Sequence, residues 1–145
     1  MNPPTQLAPL VRGVHHIAIV VKSIAEARKV YEGVLGLRAS EPEFVADQKV
    51  NVLVVYAGTQ RIELVEPASN DSPVSRWLAK HGGGLHHVAY AVDDIDVALA
   101  ALKHGGVRLI DETPRLGAHG TRIAFIYPQG MSGVLTELVE EPRTH

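Results

Sequence analysis

Histidine pairs open two apolar stretches of this chain, GVHHIAIVV over 13–21 and GLHHVAYAV over 84–92. Imidazole is a base near neutral pH and the commonest metal ligand, so a repeated pair is where chemistry is sought first. Side chains alternate across a strand, which places His16 with Ala18 and Val20 on one face and His15 with Ile17, Ile19 and Val21 on the other. His87, Ala89 and Ala91 match the first set. A histidine followed by small residues suits a concave surface that must admit something other than side chains, so His16 and His87 are the candidates. His15 and His86 point the other way, as supporting or surface groups. Further on, ELVEP from Glu63 recurs as ELVEEP from Glu137. If the repeats pair about a pseudo-twofold axis, His16, Glu63, His87 and Glu137 converge. Two imidazoles and two carboxylates form an N2O2 set for a divalent ion of the Co, Ni, Mn, Zn or Fe kind, with part of an octahedral shell left for substrate or water. Open positions imply catalysis. A lone histidine beside a strand is ordinarily a satisfied polar residue; four ligand-type residues at matching places in two repeats are a different case.

The elements that position these residues repeat as well. VHHIAIVVKSIAEARKVYEG, from Val14, overlays LHHVAYAVDDIDVALAALKH, from Leu85. In the first copy Ser23 and Glu26 make a capping box, and Ala27, Val30, Tyr31, Val34 and Leu35 recur at helical spacing up to Gly36. In the second, Asp93 or Asp94 caps a helix through Val97, Leu99, Ala100, Leu102 and Lys103 that Gly105-Gly106 stops. Strand-like runs follow each helix: LRASEPEFV, KVNVLVVYAG and QRIELVE, then GVRLIDE, TRIAFIY and GVLTELVE. Each half therefore reads β-α-β-β-β. Between them Ser72-Pro73 opens a short helix through Trp77, Leu78 and Lys80 that ends at Gly82-Gly83-Gly84. The expected organisation is one α+β domain, 1–145, built from a first module over 13–67, a connector over 68–84 and a second module over 85–140.

Composition excludes several functions. The 145 residues suffice for one substantial core, and 14 Lys plus Arg against 16 Asp plus Glu, net charge −2, form no basic footprint for nucleic acid. With no cysteine there is neither a disulfide frame nor a thiolate site, so any metal must take nitrogen and oxygen ligands. The apolar runs are of strand length, and MNPPTQLAPL lacks the basic and apolar regions of a signal peptide. No membrane association is expected, and the compartment expected is the cytoplasm.

The H-[IV]-A and E-L-V pieces, each twice, resemble the vicinal oxygen chelate superfamily, which includes glyoxalase I, extradiol dioxygenases and bleomycin-resistance proteins. Within it, the pieces DSP, GG-x-HH, LGAHG and GVL-x-EL are similar to the methylmalonyl-CoA epimerases. This glyoxalase-like resemblance implies two tandem βαβββ modules forming a curved, barrel-like mixed sheet around a metal pocket. It implies that His16, Glu63, His87 and Glu137 hold a divalent metal, cobalt first, with nickel, manganese, zinc or iron as alternatives. It also implies a homodimer acting on a small-molecule CoA thioester, interconverting (2R)- and (2S)-methylmalonyl-CoA by α-proton abstraction and a metal-stabilised enolate. The alternatives are a glyoxalase I-like isomerase and a metal-free binding module of the same fold. Glu63 stands where some epimerases place Gln. Val52 aligns with a position where some bacterial epimerases carry a glutamate, and it cannot move protons. Glu63 and Glu137 are then expected to shuttle protons as well as ligate, as in glyoxalase I, with His119, Glu43 and Asp47 as substitutes; His119, in RLGAHGTR, is placed to hydrogen-bond the substrate. Arg115, Arg122, Arg76 and Lys80 are candidates for the CoA phosphates, while Trp77 and Tyr90 suit core or subunit contacts.

Overall fold

The structure, a computed structural model, describes residues 10–143. The expectation about a leader in MNPPTQLAPL falls on residues 1–9, outside those described. The chain divides into two compact units, one of residues 16–86 and one of the residues up to 15 together with those from 87 onward. Both boundaries fall between the members of a histidine pair, His15/His16 and His86/His87.

The unit of residues 16–86 contains the second half of β1 (Val11–Val20), then α1 (Ile24–Tyr31), β2 (Arg38–Ala39), β3 (Glu43–Val45), β4 (Val50–Ala57), β5 (Gln60–Pro67) and α2 (Pro73–His81). Its strands run β2-β4-β5-β1, with β3 also pairing β4. The other unit holds β6 (Gly84–Val92) from His87, α3 (Ile95–His104), β7 (Arg115–Leu116), β8 (Arg122–Ile126) and β9 (Thr136–Glu140), in the order β6-β9-β8-β7. In both, the first strand is parallel to the last, and the last is antiparallel to the strand before it. This is the expected α+β architecture of two βαβββ modules, with one additional short strand in the first.

Helices α1 and α3 each cover one face of their own unit's sheet. Ile24 of α1 packs with Leu53, Val55 and Leu64, and α3 buries Ile95, Ala98, Leu99 and Leu102 against Ala124, Ile126 and Leu138. Each such Ile, Leu or Val side chain removed from water contributes about 2 kcal/mol. The helix starts are held twice over. The Ser23 hydroxyl accepts from Glu26 N at 3.1 Å and the Glu66 carboxylate from Ile24 N at 2.9 Å. In the second copy Asp94 accepts from Val97 N at 3.1 Å and Glu140 from Ile95 N at 3.0 Å. Of the two aspartates weighed as caps, Asp94 therefore serves, while Asp93 binds the Arg12 guanidinium.

Three expectations change. Helix α1 stops at Tyr31, and Val34 and Leu35, expected on its buried face, are 77% and 59% exposed. The chain widens there, Gly33 N and Leu35 N each reaching back five residues to Arg28 O and Val30 O. A Cβ on Gly33 would sit 2.4 Å from Lys29 O, so only glycine fits. LRASEPEFV folds as two short strands, β2 and β3, instead of one. GVRLIDE makes no strand beyond a single bridge from Leu109 to Ile126. Ile110 N and Asp111 N both donate to Phe125 O, and the Asp111 carboxylate accepts from Phe125 N at 2.9 Å. A side chain thus takes the backbone's partner and ends the ladder, so the outer strand becomes β7.

Candidate metal and catalytic site

In the first unit β1 and β5 are aligned with Ala18 opposite Glu63. His16, two residues before Ala18, shares its face, and its Nδ1 lies 3.3 Å from the Glu63 carboxylate. In the second unit Ala89 is opposite Glu137, and His87 Nε2 lies 2.9 Å from the Glu137 carboxylate. The same register therefore recurs in both repeats. His16, His87 and Glu137 are buried, and Glu63 is nearly so. The Phe125 ring, on the strand partner of Glu137, stands perpendicular to His87 with centroids 5.1 Å apart and fixes one face of the imidazole. Each unit thus couples an imidazole nitrogen to a carboxylate oxygen in a largely water-free setting. These are donors that divalent first-row ions take, so the residues present fit such an ion.

The first members of the histidine pairs are not surface groups. His15 is buried and its Nε2 meets the Glu141 carboxylate, while His86 presents its ring edge to Trp77 at 4.9 Å. Trp77 in turn stacks on His81 at 4.5 Å. Tyr90 packs against the α3 core, as expected.

Sequence reasoning missed the second glutamate of each E-L-V-E run. Glu66 and Glu140 recur with Glu63 and Glu137, but three residues along a strand reverses the face. They lie on the helix side and hold Ile24 N and Ile95 N. Glu66 also accepts from Asn51 and Glu140 from Arg122. Recurrence alone marks both glutamates of a run; only strand parity separates donor from cap.

The remaining candidates are spread more widely. His119 is exposed, at φ +59° in the turn Ala118–Gly120. A Cβ on the preceding Gly117 would press on Thr121 and Ile123 at 2.7 and 2.8 Å, so that glycine lets the turn lie flat against β8. Asp47 is exposed in the turn between β3 and β4, and buried Val52 has Glu43 directly opposite it on β3. Arg122 binds Asp96 and Glu140, the Asp96 hydrogen bond being the larger cause of its raised pKa. Arg115 lies 3.4 Å from Asp111. Arg76 and Lys80 are exposed on α2.

Residues 15–125 match the Glyoxalase/Bleomycin resistance protein/Dioxygenase superfamily, and the chain belongs to it. Among curated relatives, the uncharacterized protein YqjC of Bacillus subtilis is 50% identical over 86% of this chain and 89% of its own length. The mitochondrial methylmalonyl-CoA epimerase of Bos taurus is 38% identical over 86% of this chain and 71% of its own length. A crystal structure of methylmalonyl-CoA epimerase from Mycobacterium tuberculosis covers 98% of this chain and 97% of its own, at 33% identity and a TM-score of 0.89. A methylmalonyl-CoA epimerase in complex with methylmalonyl-CoA and NH4+ covers 91% and 95%, at 33% identity and a TM-score of 0.84. The chain is thus a homologue of isomerase-class enzymes across nearly its whole length. No helix among the described residues is long and apolar enough to cross a membrane.

Proposed function

We propose that this protein is an epimerase that interconverts (2R)- and (2S)-methylmalonyl-CoA. The observation that carries the reading is the repeated register, Ala18 opposite Glu63 and Ala89 opposite Glu137, each with a histidine on the same face paired to the glutamate. The epimerase relatives, among them one with methylmalonyl-CoA bound, support the substrate.

His16, Glu63, His87 and Glu137 are proposed to hold one divalent ion, cobalt being the first to test. When bound, the ion supplies a fixed positive charge beside the thioester oxygen and lowers the cost of the negative charge that proton removal leaves there. The chain's own groups do the rest. Glu63 and Glu137 carry carboxylate oxygens of the kind that accept and return an α-proton, each held in place by its histidine. His119, presented between Gly117 and Gly120, is proposed to donate a hydrogen bond to the substrate. The chain is proposed to act as a cytoplasmic homodimer, which light scattering on the purified protein tests.

The decisive experiment incubates protein loaded with cobalt, and separately with nickel, manganese, zinc or iron, with one epimer in deuterium oxide. The α-proton should exchange and the other epimer accumulate. Exchange with none of these metals would sink the proposal. Turnover instead of the hemithioacetal of methylglyoxal and glutathione would move it to glyoxalase I.

A further inference from the structure

The two repeats can be compared row by row across their strands. In the first unit Arg38 of β2 is opposite Tyr56 of β4, and Tyr56 is opposite Arg61 of β5. Ile17 is opposite Ile62 in the parallel pair, so His16 stands opposite Arg61 and completes the row Arg38-Tyr56-Arg61-His16. In the second unit Tyr127 N donates to Arg108 O, beside the bridge from Leu109 to Ile126. There Ile126 and Val88 are both opposite Thr136, which carries the row on through Leu135 to His87. The equivalent row is Arg108-Tyr127-Leu135-His87.

Both repeats lay the arginine over the tyrosine ring, with the guanidinium carbon 4.3 Å from the Tyr56 centroid and 4.9 Å from that of Tyr127. The sequence carries the trace as Gly36-Leu37-Arg38, which recurs as Gly106-Val107-Arg108. Three of the four positions are therefore kept. The fourth differs: where the second row has Leu135, the first has a second cation, Arg61. The first row lies on the face of Glu63, two residues along β5 from Arg61, whereas Leu37, Ala39 and Ile62, of opposite parity, pack on the α1 core.

We infer that Arg38 and Arg61, flanking Tyr56, bind the phosphate groups of the CoA thioester, and that the second repeat's row does not; the inference rests on the function proposed above. A guanidinium stacked on a ring keeps its N–H edges in its own plane, where they meet two phosphate oxygens at once. Among the described residues no carboxylate pairs with Arg38, so those edges are open to an external acceptor. The carboxylates of this face stand further along the strands, Glu63 opposite Val54 and Glu43 opposite Val52, so an anion is favoured at the arginine end.

Position argues the same way. Tyr56 is two strands from His16, roughly 10 Å along the sheet at about 4.8 Å per strand. CoA carries its phosphates at the far end of the pantetheine arm from the thioester, and that arm covers this interval with a bend. Phosphates at the arginines thus leave the thioester beside His16 and Glu63. Arg38 is exposed on β2, an edge strand of the first unit, so the nucleotide end can remain in solvent.

The test follows epimerisation of methylmalonyl-CoA and of methylmalonyl-pantetheine, which lacks the phosphates, by metal-loaded proteins matched for metal content and circular dichroism. Titration calorimetry with CoA and with pantetheine supplies a second readout. Arg38→Ala should raise KM for the CoA thioester and weaken CoA binding about tenfold, with kcat and both pantetheine constants within twofold of the unaltered protein. Arg61→Leu, which gives the first row the residue of the second, should do the same, and Arg108→Ala should leave CoA binding within twofold. CoA binding within twofold in Arg38→Ala or Arg61→Leu, an equal loss for CoA and pantetheine, or an equal loss in Arg108→Ala overturns the assignment and leaves the epimerase reading standing. Absence of epimerisation of either thioester by the unaltered protein overturns both.

Discussion

The E-L-V-E run shows how three residues decide a side chain's role. Glu63 and Glu137 face histidines, while Glu66 and Glu140, on the opposite face of the same strands, hold helix N–H groups. Of the four proposed metal ligands, His87 has the most fully defined surroundings, with Glu137 at 2.9 Å and the Phe125 ring at 5.1 Å. Replacing it by alanine removes a donor nitrogen and leaves Glu137 buried without that partner. His87→Ala should therefore weaken metal binding by at least about 100-fold, seen as a fall in metal content after dialysis, with epimerisation falling in parallel. Unchanged metal content in that variant would remove His87 from the ligand set.

Helices α1 and α3 are each tied at the first turn by a strand carboxylate, so helix and sheet are positioned as one piece. Glu140 carries the heavier load, since it accepts from both Ile95 N and Arg122 and is 8% exposed. Glu140→Ala should cost about 2 kcal/mol in urea unfolding, and Glu66→Ala, on the more exposed copy, about 1 kcal/mol. Metal content should stay unchanged in both, because these carboxylates lie on the helix side of the sheet. A loss of metal on removing Glu66 or Glu140 would contradict the division of labour between the two glutamates. At this scale the strands departed most from expectation. GVRLIDE has the apolar pattern of a strand, yet Asp111 turns its carboxylate onto Phe125 N and closes the site where a ladder would continue.

At the scale of the whole molecule, a surface tie outside the candidate site should make stability depend on pH in the acid range. Asp71 is held down to about 2 from an ordinary 3.8, first by the Lys49 hydrogen bond and second by the Ser69 hydroxyl. A carboxyl with a depressed folded-state pKa contributes stability that is present above its unfolded value and lost as pH falls through its folded value. Asp71→Asn should therefore lower Tm above about pH 4 and converge with the unaltered protein near pH 2. Both side chains are at least half exposed, so the difference should be only about 1–3 °C in a thermal scan. A difference that persists unchanged to pH 2 would rule out this origin.

The sequence by itself determined the duplication, the α+β class, the helix starts at Ser23 and Asp94 and the residue types available for chemistry, because strand alternation and capping are local properties of a few neighbouring residues. Strand parity, together with the small residues Ala18, Ala89 and Ala91, also made His16 and His87 the candidates of each pair. Tertiary structure decided what depends on pairing between distant segments. It alone placed Ala18 opposite Glu63 and Ala89 opposite Glu137, gave His15 its partner in Glu141, assigned Glu66 and Glu140 to helix ends, and put Glu43 opposite Val52. Register is a relation between strands, and a shift of one residue would exchange the face of every side chain in the row.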